Sequence, residues 1–266
     1  MQQFRENGRV RITMEQNGVA QVRLIRDEKL NALDAQMFDT LVLAGKALFE
    51  KQGLRAVVLA GEGRGFCAGI DISSLGALSD VPLTERTYGN ANIFQQVAML
   101  WRKLPVPVIA AIHGVCFGGG LQIASGADIR VVAPDARLAI MEMKWGIIPD
   151  MGGYALWRGM VRDDVLRELT FTNREFKGEE AHALGFATCL DADPLSRATR
   201  IAHDIATRHP HAIRSAKALF NRAHDLSIDE ILMAESLEQQ RLIGTRNQME
   251  AVHAQLQGRQ ADFTDP

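Results

Sequence analysis

Three consecutive glycines, Gly118-Gly119-Gly120, open the segment GGGLQIASGAD. Glycines at a helix start cost backbone entropy. That cost is understandable where something must approach the main chain closely. A helix N-terminus offers unpaired N–H groups and a partial positive charge, a natural receptor for an oxyanion. Close helix–strand packing is the competing account of Gly118 and Gly120. A second glycine loop, residues 61–71 (GEGRGFCAGID), follows a short apolar run. It carries neither GxxxxGK[ST] nor a GxGxxG that opens a helix, which argues against nucleotide binding.

Two carboxylates stand where they could move protons. Glu142, in LAIMEMKWG, has Ile140, Met141, Met143 and Trp145 around it. Burial among them would raise its pKa toward a useful range; an exposed glutamate at a strand end is the plainer alternative. Asp150, in IIPDMGG, could act on a substrate or cap the following helix. His113 and Cys116 in HGVCFGGG are close in sequence, but a Cys–His nucleophile needs facing geometry, so both are read as structural. Cys67 is read as a small packed residue.

The elements that must position these groups follow from periodicity. Residues 9–15 and 19–25 alternate around Asn17-Gly18, a hairpin signal. Asp34 can cap a helix over 35–51 with Met37, Phe38, Leu41, Val42 and Leu48 on one stripe. Residues 55–60 and 106–112 are strand-sized apolar runs, each followed by a glycine loop. Residues 93–104 are helical in period and stop before Pro105. A helix is expected over 119–125, and strands over 129–132 and 138–140. Strand, glycine turn and helix thus repeat, an α/β pattern with parallel pairing. Residues 75–90 read as a loop. Tyr88, Phe94 and Trp101 could line an acyl tunnel or fill the core. Helices are expected over 163–170, 179–184, 195–209, 213–224 and 228–257. The division expected is an α/β core over 1–195 and a helical part over 196–266. The apolar residues of the last helices would need cover from the core or a neighbouring subunit.

Composition narrows the class. The chain has 266 residues, 47% apolar and 23% charged, with a net charge of −2. That suits a globular protein with a real core and gives no basic patch for nucleic acid. No stretch is apolar for long enough to span a bilayer, and the N-terminus has no apolar signal core. Three widely spaced cysteines form neither a disulfide framework nor a metal-ligand pair. A cytoplasmic protein without metal, membrane or nucleic-acid partner is expected.

The motifs GRGFCAGIDI (63–72) and PVPVIAAIHGVCFGGGLQIASGADIRV (105–131), with KLNAL (29–33) and WGIIPDMGG (145–153), resemble the crotonase, or enoyl-CoA hydratase/isomerase, superfamily in order and spacing. The similarity covers nearly the whole chain. It implies a crotonase spiral of ββα units with a helical C-terminal region that forms a homotrimer or a hexamer of two trimers. It implies an acyl-CoA thioester as substrate, with CoA part of the substrate and no separate cofactor. By this resemblance the N–H groups of Ile70 and Gly119 form an oxyanion hole for a thioester enolate. Such a donor is typically worth about 3 kcal/mol in the transition state. CoA would lie against Arg26, Lys29, Leu30, Ala68, Asp71 and Ile72, and Asp71 would also brace its loop. Some relatives contact the adenine end through their last helix. Gln255 and Gly258 stand at those positions here, with Phe263 as a substitute.

The resemblance leaves the reaction to three positions. Where hydratases place a first glutamate, this chain has Gln122, which has no useful pKa as a base and could position water or substrate. Glu142 matches the second catalytic glutamate. Asp150 matches the aspartate of dienoyl-CoA isomerases, and also the nucleophile of a dehalogenating branch that lacks the glutamate. The expected activity is a double-bond shift with Glu142 and Asp150 as the catalytic pair. Hydration by Glu142 and a shuttle by Glu142 alone are the alternatives, with a non-catalytic acyl-CoA-binding protein as the reading of another class.

Overall fold

The computed structural model describes residues 2–6, 8–74, 76 and 82–266. Strands β1 (Gln2–Glu6), β2 (Val10–Met14) and β3 (Val19–Leu24) run antiparallel. The expected hairpin joins β2 to β3, with Gly18 at φ 84° and the Asn17 side chain accepting from the Val19 N–H. Beyond β3 the sheet continues in parallel through β4 (Ala56–Gly61), β5 (Val108–Ile112), β7 (Ile129–Val132) and β10 (Cys189–Leu190). A small second sheet joins β6 (Val115–Phe117) to β8 (Arg137–Ala139) in parallel and β8 to β9 (Phe176–Lys177) antiparallel.

β4 and β5 are buried at every position, as expected of parallel strands covered on both faces. Their side chains alternate between two cores. Val57, Leu59, Val108 and Ala110 pack with α1 (Ala35–Phe49) and α2 (Ile93–Lys103). Ala56, Val58, Ile109 and Ala111 pack with Ala198 and Ala202 of α7 (Pro194–Ala206). Both covering helices on the first face have the caps their sequences offer: Asp34 accepts from Met37 N–H, and Asn92 with Gln95 forms a capping box. Between α2 and α7 lie α3 (Gly119–Ser125), α4 (Gly153–Trp157), α5 (Asp163–Thr172) and α6 (Gly178–Leu184). Phe94 and Trp101 are core residues, Phe94 meeting Phe38 edge-to-face at 5.0 Å. Tyr88 is half-buried beside Ala91. Of the loop expected over 75–90, residues 75 and 77–81 lie outside the described residues.

Two expectations about the C-terminal part change. A division at 195/196 cuts α7, which begins at Pro194 under an Asp193 cap and belongs to the core. The helical stretch expected over 228–257 resolves into two helices, α9 (Ile228–Leu242) and α10 (Arg246–Gln257). Gly244 at φ 76° stops the first, and Thr245 caps the second. Among residues of this region, Phe220, Ile228, Leu232, Met233 and Leu256 are exposed.

α8 (Pro210–Arg222) is pinned to the core by Lys217, which is 5% exposed. Its ammonium donates to the carbonyls of Trp101 and Val106 and to Asp128 at 3.0, 2.8 and 2.7 Å. Truncation leaves Asp128 and two carbonyls short of a partner. Lys217→Met is therefore expected to lower unfolding free energy by about 3 kcal/mol, read from the urea midpoint.

Candidate active site

The loop after β4 and the segment after β5 are stitched together. Phe66 N–H donates to His113 O, Cys67 N–H to Val115 O, and Phe117 N–H to Cys67 O, at 3.0 to 3.1 Å. His113 Nε2 lies 2.9 Å from Gly63 O, so this histidine holds the loop. On its other side the loop exchanges bonds with Leu33: Leu33 N–H donates to Gly69 O and Asp71 N–H to Leu33 O. Approach this close admits no side chain at two positions. A Cβ on Gly120 would sit 2.5 Å from Cys67 O, and one on Gly69, itself at φ 86°, would sit 2.7 Å from Phe117 O.

These constraints leave two N–H groups over. Among the described residues, neither the Ile70 N–H nor the Gly119 N–H has a protein acceptor. Both residues line a cavity of about 210 Å³. Gly119 is the first residue of α3, where no intrahelical acceptor exists. Gly118, at φ 49° and ψ −118°, takes a conformation that only glycine adopts readily. A pair of unpartnered N–H donors on one cavity wall can stabilise a developing negative charge.

Glu142 lies on the same wall. It opens a short 3₁₀ turn, Glu142–Trp145, and is 6% exposed. Its Oε1 accepts from Gln122 Nε2 at 2.6 Å, while Oε2 is buried and has no hydrogen-bond partner. Burial raises the carboxyl pKa above its ordinary value; hydrogen bonds from the backbone and Gln122 oppose the rise, and the nearby charge of Asp150 adds to it. The exposed strand-end alternative thus fails.

Gln122 is 1% exposed and absent from the cavity wall. Its Oε1 accepts from both Met151 N–H and Gly153 N–H at 2.9 Å. Those two bonds fix the amide orientation, so its NH₂ group must face Glu142. The expected contact with water or substrate gives way to a structural one: this side chain ties Glu142 to the 151–153 turn.

Asp150 is half-buried, and burial raises its pKa. It does not cap α4, which starts behind Gly152 at φ 94° with no side-chain cap. Asp150 is not a wall residue of the cavity, but it lies within electrostatic reach of Glu142.

The CoA contacts expected from sequence divide. Ala68 and Ile72 line the cavity, and Lys29 is exposed. Leu30, at φ 50°, accepts from Ala68 N–H. Arg26 is not available for phosphate. It is 8% exposed, donating to Ala32 O at 2.9 Å and pairing with Asp71 at 2.7 Å and Asp34 at 3.5 Å. Asp71 in turn accepts from the Ser73 hydroxyl and N–H, so both residues brace the loop. Sequence reasoning missed wall residues Phe117, Met141, Lys144, Trp145, Ile147 and Glu175. Three of them, Met141, Lys144 and Trp145, flank Glu142 in the same motif, a signal that was available; nothing local marks Glu175. Phe263 stacks on His209 at 5.5 Å, and neighbouring Asp265 pairs with Arg55 at the amino end of β4. The glycine loop leaves the other end of that strand. Burial pushes the Cys67 thiol up to about 12 and Cys116 well above its ordinary value, so neither is a nucleophile. Among the described residues no group of three potential metal ligands occurs, and no helix is long and apolar enough to cross a membrane.

Comparison with known proteins gives the family. The family model described as enoyl-CoA hydratase/isomerase matches residues 14–266. A mitochondrial Delta(3,5)-Delta(2,4)-dienoyl-CoA isomerase of Mus musculus is 30% identical over 261 residues, 94% of this chain and 80% of the relative. A short-chain-enoyl-CoA hydratase of Clostridium acetobutylicum is 28% identical over 94% of this chain and 96% of its own. A solved enoyl-CoA hydratase from Bacillus anthracis superposes with a TM-score of 0.87 at 25% identity, over 96% of this chain and 98% of the other. The chain belongs to the enoyl-CoA hydratase/isomerase family of the crotonase superfamily.

Proposed function

We propose that this enzyme shifts a double bond in an enoyl- or dienoyl-CoA. The observation that carries the reading is Glu142 Oε2, a buried carboxylate oxygen with no hydrogen-bond partner among the described residues, on the cavity wall that also presents the Ile70 and Gly119 N–H groups. With a 3,5-dienoyl thioester, Glu142 Oε2 takes a proton from C2. The electron pair moves into a dienolate whose oxygen accepts from the two N–H groups. Asp150 delivers a proton to C6, leaving the 2,4-dienoyl thioester. The proton on Glu142 then returns to Asp150, directly or through water. A 3-enoyl thioester needs only the C2-to-C4 transfer, which Glu142 can perform alone.

Hydration is the second reading, supported by the likeness to hydratases. It needs a water held and activated beside the double bond. Gln122 offers no titratable proton for that step, and its carbonyl oxygen is occupied. Gln122→Glu keeps the acceptor for the two backbone N–H groups but places a second carboxyl against Glu142. It is expected to raise water addition to 2-enoyl-CoA about tenfold and to depress the double-bond shift. Product analysis of both reactions checks this. Exposed apolar residues on α9 and α10 support assembly into a trimer or hexamer as part of the proposal.

The direct test offers 3-enoyl-, 3,5-dienoyl- and 2-enoyl-CoA and follows conjugation by ultraviolet absorbance. Isomerisation faster than water addition supports the reading. Water addition at a comparable rate removes the preference, and CoA-ester binding with no turnover makes the protein a binder.

A further inference from the structure

A second cavity lies away from the glycine loops. It holds about 550 Å³ and is bounded by the start of β7, the end of α3, and α8. The catalytic loops leave the carboxyl ends of β4 and β5, whereas this cavity opens at Pro107 and Asp128, at the amino ends of β5 and β7. The two sites are therefore at opposite ends of the sheet.

Charge on its wall is unbalanced. Four cations, Arg102, Arg130, Arg158 and Lys217, face one carboxylate, Asp128. Lys217 takes Asp128, and Arg158 pairs with Asp225. Among the described residues, Arg102 and Arg130 have no carboxylate within ion-pair distance. Arg102 reaches only the Asn221 carbonyl. Arg130 is 8% exposed, and Asp128, which is paired directly with Lys217, compensates its charge only from beyond ion-pair distance, so the burial is costly. Its Nε and Nη1 donate to the carbonyls of Phe186 and Ala127, both at 2.7 Å. Among the described residues its Nη2 has no hydrogen-bond partner. The guanidinium is held at Nε and Nη1 and leaves Nη2 to donate to a ligand such as a carboxylate. The rest of the wall includes Ile129, Leu156, Met160 and Ile213, an apolar lining for a hydrocarbon body.

We infer that this cavity is a second binding site, for a small organic carboxylate with an apolar chain, received at Arg130 and Arg102. The anion supplies the missing counter-charge, and the chain covers the apolar wall.

The test is isothermal titration of the full-length protein with octanoate, with inorganic phosphate as the comparison anion. One octanoate per chain is expected to bind, still binding when the catalytic site is saturated with a CoA thioester. Arg130→Met should weaken binding about tenfold or more. Because that change also removes two bonds to backbone carbonyls, Ala216→Trp serves as the second variant. Ala216 is an exposed residue of α8 on the cavity wall, so the larger ring occupies the space without touching either arginine's backbone bonds. It should weaken octanoate binding to a similar degree while the melting temperature without ligand stays constant. Absence of saturable binding, full competition by the CoA thioester, or wild-type affinity in Ala216→Trp would each overturn the assignment. So would phosphate binding as tightly as octanoate, since the apolar wall would then contribute nothing. A change of oligomeric state in Ala216→Trp would mark the groove as a contact between copies and overturn it as well.

Discussion

Glu142→Gln is expected to lower exchange of the substrate α-proton in deuterated water, and kcat for the double-bond shift, by about 10³-fold. The variant keeps an oxygen for Gln122 Nε2 but loses the free basic oxygen Oε2. KM should change little, because Oε2 acts on the reacting carbon and is not needed to hold the thioester. The same change is expected to stabilise the fold at neutral pH. In the folded protein the Glu142 pKa lies above its ordinary value of 4.5, with burial as the main cause. Below the unfolded-state pKa the group is protonated in both states and costs nothing. As pH rises through the interval between the unfolded and folded values, ionisation begins to cost stability, and the cost is complete above the folded value. The melting temperature of Glu142→Gln should therefore exceed wild type at pH 7 to 8 and match it near pH 4. Activity follows the opposite sense. A base must be ionised, so the acid limb of the kcat profile should fall above the range of an ordinary carboxylate and be abolished in the variant's residual rate. Unchanged proton exchange would remove Glu142 from its role as base.

The second large effect is at the oxyanion. Replacing the Ile70 amide by an ester, through incorporation of the α-hydroxy acid, removes one N–H donor and leaves the side chain intact. A loss of 10²- to 10³-fold in kcat is expected, about 3 kcal/mol of transition-state stabilisation. KM should be nearly unchanged, since the donor matters most when the carbonyl becomes an enolate. Ile70→Val is the control: only the main chain donates, so it should retain nearly full activity. Substitution at Gly119 is a poorer probe. A Cβ there would meet Met151 Sδ at 2.7 Å and Leu33 Cδ1 at 2.9 Å, so lost activity would be mixed with lost packing. A full rate in the ester variant would exclude the Ile70 N–H from catalysis.

In the proposed reaction both effects arise around one small space. The donors come from α3 and from the loop after β4, and the base comes from the turn after β8. Gln122 links the parts, bonding Glu142 across 20 residues and the 151–153 turn across 29 and 31 residues. One side chain thereby fixes the base relative to the helix that presents Gly119, and such positioning is worth several powers of ten in rate when it is lost.

Local pattern was enough to foresee much of this molecule. Alternation around Asn17-Gly18 gave the hairpin, and residues 119–125 and 129–132 form the expected helix and strand with the expected ends. The cap at Asp34 and the stop before Pro105 also stand where neighbouring residues dictate them. The motif order was sufficient for the family. The Gly244-Thr245 break was equally local, but the apolar residues on both sides obscured it.

Partnership was not legible, because it is not local. Arg26 looks like a phosphate ligand until Asp71, 45 residues away, folds against it. Nothing near Lys217 in the sequence marks its partner Asp128, which lies 89 residues away and meets it in the core. Gln122 looks like a substrate contact until two backbone N–H groups occupy its oxygen. Sequence determined the secondary elements, the family and the candidate residues, since turn chemistry and periodicity act over a few positions. Tertiary structure alone decided which polar groups are satisfied and which are left over. Hydrogen bonding and desolvation depend on what surrounds an atom in space, and here they leave Glu142 Oε2 and the N–H groups of Ile70 and Gly119 without a protein partner.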